Sequence, residues 1–221
     1  MIRNSKKKKI VIIDYKMSNL YSVQNALKLF PLEVIISSDF HDLASADAAI
    51  LPGVGAFKEA MNSLNRLDFI SPIHDFIDSR KPFLGICLGF QLLFSESFEF
   101  GFYKGLGVFE GEVLSLKKNI ITEKIPHIGW NKVYFENNSD SKSSFLRRLA
   151  SEDFFYFVHS FFVKPQLESI SLGKTFYDDF KFCSAVMHEN VIATQFHPEK
   201  SGSVGLSFLN NFLEMNNLIG D

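Results

Sequence analysis

Cys87 lies between two glycines at the point where a buried-strand pattern changes into a helical pattern. The stretch Pro82–Gln91 begins with an apolar run, and Leu88, Gln91 and the following Leu92 then recur at helical spacing. Glycines two residues before and two residues after the cysteine let the backbone turn sharply. We therefore expect the thiol at the tip of a strand-to-helix elbow, where helix N–H groups favour the reactive thiolate. A buried structural cysteine is the alternative, and the glycines disfavour it.

Strand-like and helix-like segments alternate through the first half of the chain. The sequence predicts strands at 10–13, 33–37, 48–51 and before Cys87, and helices at about 18–30, 57–67 and 70–79. Parallel strands need long crossovers, so this order predicts an α/β fold with a central, mostly parallel sheet flanked by helices. Antiparallel additions are expected in the C-terminal half, with short strands around 107–116, 131–135, 154–158 and 182–187. The polar segment 137–144 reads as a surface loop.

Length and composition narrow the class of protein. The 221 residues, 46% of them hydrophobic, suffice for a single domain, expected over 10–215 after a basic lead-in at 1–9. A net charge of -2 disfavours nucleic-acid binding, and no apolar stretch reaches the roughly 18 residues of a membrane span. Two cysteines and no signal-peptide pattern favour a reducing cytoplasm. No Cys/His cluster has metal-ligand spacing, so we expect no metal or cofactor.

A histidine with a nearby carboxylate follows a late strand-like run. Val191–Thr194 is apolar, and Pro198 stops the strand directly after His197. The histidine is thus expected at a strand end, where parallel-sheet sites are built. Glu199 could hold one ring nitrogen while the other faces the thiol, which is the general logic of a catalytic triad. A lone histidine is more often structural, but its combination with an elbow cysteine predicts a general base.

A glycine turn lies between a strand and a helix at Leu51–Phe57. Such a loop can direct a backbone N–H toward a developing oxyanion, together with the N–H of Leu88. An ordinary strand-to-helix turn is the plain alternative. A dinucleotide fingerprint would need a further glycine, and a phosphate loop would need a Gly-Lys-Ser/Thr end, so neither nucleotide motif is present.

These segments together resemble the class I (triad) glutamine amidotransferases. The resemblance rests on Gly-x-Cys-x-Gly-x-Gln at 85–91, Pro-Gly-x-Gly at 52–55 and His-Pro-Glu at 197–199. The glutaminase subunits of imidazole glycerol phosphate synthases have similar segments in the same order and at similar spacing, over about residues 10–215. The four further segments of this chain that carry the resemblance are 12–15, 125–131, 156–160 and 195–201.

The resemblance implies that the chain hydrolyses glutamine through a cysteine thioester and delivers ammonia to a partner. The implied catalytic residues are Cys87, His197 and Glu199. The implied oxyanion groups are the backbone N–H groups of Leu88, Gly53, Val54 and Gly55. The implied substrate contacts are Gln91, His159, Ser160 and Phe161.

The implied partner is a cyclase subunit, a (β/α)₈ barrel that consumes the ammonia in histidine biosynthesis. Ammonia must not meet bulk water, because protonation removes its nucleophilic lone pair, so the glutaminase face would dock on the barrel as a heterodimer. The family positions at that interface are Asn19, Trp130, Asn131 and Lys200. The alternative partner is a sugar-modifying synthase for surface polysaccharides, which related subunits supply with ammonia.

The first loop departs from the family pattern. The family usually has Asp-Tyr-Gly-x-Gly-Asn, whereas this chain has Lys16 and Ser18 in place of the two glycines. Both residues tolerate positive φ poorly, so we expect a more restricted loop. Two other classes of protein are alternatives to a glutamine amidotransferase. An α/β cysteine hydrolase would not need Gln91 or a docking face. A catalytically silent binding subunit would lack part of the triad.

Overall fold

The computed structural model describes residues 7–121 and 123–220. In it, the apolar runs that predict strands form a single mixed sheet. The strands are β1 (Lys9–Ile13), β2 (Glu33–Ser37), β3 (Ala48–Gly53), β4 (Phe83–Cys87), β5 (Phe94–Ser97), β6 (Tyr103–Lys104), β7 (Phe109–Ser115), β8 (His127–Phe135), β9 (Glu152–His159), β10 (Phe161–Pro165), β11 (Ser171–Tyr177), β12 (Phe180–His188) and β13 (Val191–Thr194). The helices are α1 (Leu20–Leu27), α2 (His41–Ala44), α3 (Phe57–Arg66), α4 (Ile70–Asp78), α5 (Leu88–Leu92), α6 (Asp140–Leu146) and α7 (Gly202–Met215).

The centre of the sheet is parallel, as the alternation of strands and helices predicts. Its main path runs β2-β1-β3-β4-β13-β12-β10-β7-β5-β6, and the first five of these strands pair in parallel. The antiparallel additions expected in the C-terminal half are β7, β8, β9 and β12, and the structure adds β10 and β11, which were not predicted. The loop after β3, the elbow after β4 and the segment after β13 therefore leave the same edge of three adjacent strands, which is where α/β sites are built.

Both faces of the central sheet are buried. Ile10 and Ile12 of β1 pack into one core with residues of α1 and α7, and Val11 and Ile13 pack into the other with residues of α3 and α4. Successive side chains of a strand point to opposite faces, so a continuous apolar run indicates helices on both sides. No helix among the described residues is long and apolar enough to cross a membrane.

The phenylalanine residues next to the catalytic histidine candidate form a packed cluster. Phe196 lies 4.2 Å from Phe155, 5.4 Å from Phe208 and 5.8 Å from Phe157, measured between ring centroids. All four side chains are fully buried. The cluster ties the segment after β13 to β9 and α7, which fixes the backbone immediately before His197.

Two expectations about local structure are corrected. The helix predicted at about 18–30 spans only Leu20–Leu27, and most of the expected lead-in, residues 1–6, lies outside the described residues. The segment expected to be a surface loop contains α6, which begins with the side-chain cap of Ser139. Phe145 of this helix packs edge-on against Phe208 of α7, 5.0 Å away, which anchors the helix to the core. A polar composition does not reveal that contact.

Candidate active site

Cys87 occupies the expected strand-to-helix elbow, and it carries the strain itself. Its backbone has φ +56° and ψ −109°, which is unusual for a residue other than glycine. The flanking residues must be glycine because a side chain would collide with neighbouring atoms, and not because their backbone has a positive φ. A Cβ at Gly89 would lie 1.8 Å from the Leu51 carbonyl oxygen, and one at Gly85 would lie 3.0 Å from the Ala193 Cβ. The elbow is therefore held between β3 and β13.

Cys87 is buried, with 6% of the residue exposed, and its thiol lies between two polar groups. Its Sγ is 3.8 Å from the Val158 carbonyl oxygen and 3.8 Å from the Gln195 side-chain nitrogen, which can donate to it. Gln195 belongs to the late motif, but the sequence did not single it out as a site residue. Its amide nitrogen is placed to donate a hydrogen bond to the sulfur.

His197 and Glu199 form a buried ion pair next to the cysteine. Nδ1 of His197 is 2.8 Å from Oε1 of Glu199, and both side chains are almost inaccessible to solvent. Burial alone lowers the pKa of His197, but the charges and hydrogen bonds of Cys87 and Glu199 outweigh burial and raise it above its ordinary value. Among the described residues, no hydrogen-bond partner at ordinary distance occupies Nε2. That nitrogen is thus available to take a proton from the thiol.

A pocket of about 550 Å³ opens beside Cys87. Of the residues singled out by the sequence, it is lined by Val54, Gly55, Cys87, Leu88, Gln91, His159, Ser160 and Phe161. Most of the implied oxyanion and substrate groups are therefore brought together around the thiol. Gly53 does not line the pocket but pairs in register with Cys87 on the neighbouring strand.

Gln91 binds the backbone of the segment implied to contact substrate. Its side-chain nitrogen donates to the Phe161 carbonyl at 3.1 Å and to Oε1 of Gln195 at 2.9 Å. Both amide protons are used in these bonds, which leaves its side-chain oxygen as an acceptor. Gln91 therefore links the helix after the elbow, the 159–161 segment and the late motif.

Two charged residues of the pocket wall were missed by the sequence analysis. Glu99 is buried and accepts a hydrogen bond from the Phe57 N–H at 2.6 Å, so it caps the first turn of α3, and burial raises its pKa. Lys117 lines the pocket as well. A carboxylate and an ammonium in one pocket match the two charges of a free amino acid. No motif signals either residue, because each reaches the pocket from a surface connection.

Two buried histidines form a hydrogen-bond chain with a fixed direction. The Phe161 carbonyl can only accept, so Nδ1 of His159, 2.8 Å away, carries its proton. Burial lowers the pKa of His127 to about 4 and that of His159 to about 3, so both rings are neutral near pH 7. Nε2 of His159 therefore accepts from Nδ1 of His127 at 2.9 Å, and Nε2 of His127 accepts from the Asn131 amide at 3.2 Å.

The loop after β3 does not present all of its N–H groups to the pocket. The Val54 N–H, one of the implied oxyanion donors, is hydrogen-bonded to the Met17 carbonyl at 2.8 Å. Gly55 has φ +101°, which favours glycine at this position. Leu88 opens α5, so its N–H has no partner four residues earlier within the helix.

The first loop corrects the expectation that Lys16 tolerates positive φ poorly. Lys16 has φ +69°, and the Asp14 carboxylate stabilises it by accepting from its backbone N–H at 2.9 Å and from its Nζ at 2.7 Å. Ser18 does not need the left-handed conformation. The loop thus keeps a glycine-like turn at one position without a glycine.

The four residues implied at a partner interface do not behave alike. Trp130 and Asn19 are exposed and Lys200 is partly buried. Asn131 instead points inward: its amide nitrogen donates to the Phe176 carbonyl at 2.8 Å as well as to His127, and its oxygen accepts from the Lys132 N–H at 2.7 Å. All of its amide groups are therefore engaged within the chain.

The described residues contain no group of three or more His, Cys, Asp or Glu side chains arranged to hold a metal ion. Cys183, the second cysteine, is buried in the sheet, and burial raises the pKa of its thiol to about 12. It is therefore an unreactive core residue, in contrast to Cys87.

Comparison with known proteins gives the family. The family model for class-I glutamine amidotransferases matches residues 11–215. The chain belongs to this family. As a class-I glutamine amidotransferase it is an enzyme, and the α/β fold and the family predicted from the motifs are confirmed. The roles of individual residues stay predictions.

Curated relatives and a solved structure add detail to the amidotransferase assignment. The imidazole glycerol phosphate synthase subunit HisH of Aquifex aeolicus (strain VF5) is 49% identical over 91% of this chain and 94% of its own length. The corresponding HisH 1 of Legionella pneumophila (strain Lens) is 43% identical over 93% of this chain and 99% of its own. The structure of PurLQS from Thermotoga maritima superposes with a TM-score of 0.71 over 94% of this chain and 98% of that one; at 18% identity it shows the shared fold.

Proposed function

We propose that this amidotransferase is the glutaminase subunit of an imidazole glycerol phosphate synthase. The observation that carries the proposal is an intact, buried Cys87, His197 and Glu199 set in a chain that is 49% identical to a HisH subunit over nearly its full length. In this role it hydrolyses glutamine and passes ammonia to a cyclase (β/α)₈-barrel subunit in histidine biosynthesis. Residues 10–215 form its one domain, and Cys87 works as a free thiol in a reducing cytoplasm.

The chemistry proceeds through a thioester. His197 takes the thiol proton, and the Cys87 sulfur attacks the side-chain amide carbon of glutamine. The C–N bond of the tetrahedral intermediate breaks as His197 returns the proton to the leaving nitrogen, which departs as ammonia. Water, deprotonated by the same ring, then cleaves the thioester to release glutamate and the free thiol. Glu199 orients the ring and stabilises its charged form.

Charge complementarity orients the glutamine. Its α-ammonium lies toward Glu99 and its α-carboxylate toward Lys117, the acidic and basic groups of the pocket. Its side-chain amide lies against Gln91 and the backbone of 159–161, which the histidine chain and Gln91 hold in place. An ester or peptide substrate lacks the matching pair of charges, so this arrangement favours glutamine over the substrates of a general cysteine hydrolase.

The oxyanion hole is incomplete in the resting enzyme. Leu88 supplies one N–H next to the nucleophile, whereas Val54, the second donor, is held by the Met17 carbonyl. Reversal of the Gly53–Val54 peptide unit breaks that bond and directs the Val54 N–H into the pocket. A glutaminase that needs this change stays nearly silent until its partner binds acceptor, which prevents waste of glutamine.

The docking face surrounds the exit from the triad. Trp130, 56% exposed, packs edge-on to Tyr156, and Tyr156 lies 6.5 Å from the His197 ring, measured between centroids. The Tyr156 carbonyl also accepts from the His197 N–H at 2.9 Å. Asn19, Trp130 and Lys200 contact the barrel in this proposal, whereas Asn131 acts from inside through His127. A partner over Trp130 would cover the path of ammonia.

The alternative acceptor is a sugar-modifying synthase, to which a related subunit would supply ammonia. The HisH relatives favour the histidine-pathway synthase. One experiment separates the two: glutamate release by this chain mixed with a cyclase barrel subunit from the same source, with and without its phosphoribulosyl nucleotide. Strong nucleotide-dependent stimulation is expected. No stimulation, with Cys87 still reactive toward a glutamine-like alkylating agent, would contradict the histidine-pathway proposal and favour the other acceptor.

The division of labour between the subunits is tested by Cys87→Ala. We expect this variant to fold and bind the barrel but to use no glutamine, because the other cysteine, Cys183, is a buried and unreactive core residue that cannot form the thioester. Ammonium salt supplied directly should restore synthesis by the partner. Cys183→Ala is the matched control and should keep glutamine-dependent synthesis. Failure of ammonium rescue in a properly assembled complex would contradict the two-subunit scheme.

A further inference from the structure

Tyr15 carries a hydroxyl that the proposed chemistry does not use. The residue directly follows β1 and is fully buried, and no atom of the described residues forms a hydrogen bond with its hydroxyl. A buried donor without an acceptor loses its hydrogen bonds to water and gains none. Phenylalanine would fill the same space without that cost. An unpaired hydroxyl at this position therefore indicates a second arrangement in which it has a partner.

The hydroxyl of Tyr15 is placed against the loop of the oxyanion hole. A Cβ added to Gly53 would lie 2.2 Å from the hydroxyl oxygen, so the phenol occupies the space where any other residue would have a side chain. Gly53 pairs in register with Cys87. Burial, and then the charge of Cys87, raise the pKa of Tyr15, so its hydroxyl stays protonated and can act as a donor.

The backbone around Tyr15 is held by a hydrogen bond and also holds the loop in its resting form. The Ser63 hydroxyl donates to the Tyr15 carbonyl at 2.5 Å, and the Met17 carbonyl binds the Val54 N–H at 2.8 Å. The N–H and C=O of one peptide unit point in opposite directions. Since the Val54 N–H points toward Met17, the Gly53 carbonyl of the same unit points away from that segment.

Reversal of the peptide unit would exchange these directions. The Val54 N–H would enter the pocket, and the Gly53 carbonyl would turn toward the Tyr15–Met17 segment. Gly53's carbonyl carbon lies ~2.5 Å from its own Cβ position by standard geometry, which puts it within roughly 4.7 Å of the hydroxyl. A carbonyl oxygen directed at the hydroxyl from that distance comes within hydrogen-bonding range.

We propose that Tyr15 is a positioning residue for the oxyanion hole: its hydroxyl donates to the Gly53 carbonyl once the Gly53–Val54 peptide has reversed. The bond forms in only one of the two loop states, so it shifts the equilibrium toward the state with a complete oxyanion hole. In the resting state the Met17 carbonyl binds the Val54 N–H. In the reversed state the Tyr15 hydroxyl binds the Gly53 carbonyl instead. The inference rests on the proposed glutaminase function.

The test compares Tyr15→Phe with wild type in two reactions of the isolated full-length chain and of its complex. Glutamine hydrolysis needs the oxyanion hole, whereas alkylation of Cys87 by iodoacetamide does not. The variant should lose roughly tenfold in kcat for glutamine, the upper range for one neutral hydrogen bond, with KM and alkylation rate unchanged. Its midpoint of urea unfolding should rise, because the unpaired hydroxyl is gone. Tyr21→Phe, at an exposed position, is the matched control.

The alternative outcomes are distinct. Unchanged kcat with a raised unfolding midpoint would show that Tyr15 only fills space, and an equal loss in hydrolysis and alkylation would show that it acts on the thiol; either result overturns the inference. Because the slow hydrolysis by the isolated chain also needs the oxyanion hole, the comparison does not depend on the barrel. Absence of stimulation by the barrel and its nucleotide would contradict the proposed function while leaving the Tyr15 measurement valid.

Discussion

Replacement of Gly89 by alanine should damage both the stability and the active site of the enzyme. The added methyl carbon would lie 1.8 Å from the Leu51 carbonyl oxygen and 2.8 Å from its carbon. Close C···O contacts are about 3.3 Å, so α5 and β3 would have to separate by ~1.5 Å. Overpacking of this kind costs about 1–3 kcal/mol. The displaced helix directly follows Cys87, and a ~1 Å misplacement corresponds to roughly 100-fold slower glutamine turnover.

Helix propensity alone predicts the opposite effect of Gly89→Ala on stability, so the measurement separates the two explanations. Gly89 lies outside the left-handed region, so alanine would stabilise α5 by ~1 kcal/mol if space were available. Urea unfolding measures the stability, and glutamate release in the activated complex measures the turnover. Gly220→Ala, where a Cβ meets nothing within 4 Å, is the matched control. A Gly89→Ala enzyme as stable and as active as wild type would refute the steric reasoning.

Four further predictions concern buried polar groups. In ¹⁵N NMR spectra at pH 7, His127 and His159 should both be neutral and protonated on Nδ1; a ring protonated on Nε2 would contradict the hydrogen-bond chain. The lowered pKa values of these two histidines keep them neutral in the folded protein, whereas in the unfolded chain they take up protons as the pH falls from about 6.5 toward 4. The free energy of unfolding should therefore fall over this pH range. His127→Phe should make the free energy of unfolding depend less on pH. Glu99→Gln keeps an acceptor for the Phe57 N–H but loses the charge, so KM for glutamine should rise roughly tenfold with kcat nearly constant, whereas exposed Glu110→Gln should change neither. Lys142→Met removes the donor to the Ser169 and Ser171 carbonyls and should cost about 2–4 kcal/mol in urea unfolding; a loss below 0.5 kcal/mol, roughly that of a surface change, would contradict this.

The central sheet was predictable because its signals are local. An apolar run such as Ile10–Ile13 fixes a strand buried on both faces, and the glycine spacing around Cys87 requires a strand-to-helix junction. His197 lies near the expected strand end, although β13 stops at Thr194, three residues earlier, and not at Pro198. These features depend on residues a few positions apart, so the sequence alone carries them.

The remaining parts of the site depend on contacts between distant segments. Glu99 reaches the pocket by capping α3, which starts 42 residues earlier in the chain. Met17 and Val54 meet because β1 and β3 are neighbours, and Asn131 turns inward because its amide donates to buried His127, which in turn donates to His159. Similarly, α6 is anchored to the core by the packing of Phe145 on Phe208. The spacing of residues along the sequence does not predict which distant backbone segment a side chain will contact.

The place of β13 in the sheet has a consequence for biosynthesis of the enzyme. β4, which carries the nucleophile, pairs with β3 on one side and on the other with β13, made more than 100 residues later. Until β13 leaves the ribosome, β4 is an unpaired apolar edge strand, a typical starting point for aggregation. His197 and Glu199 arrive with the same late segment. A nascent or truncated chain therefore cannot hydrolyse glutamine, and completion of the sheet and acquisition of activity are one folding event.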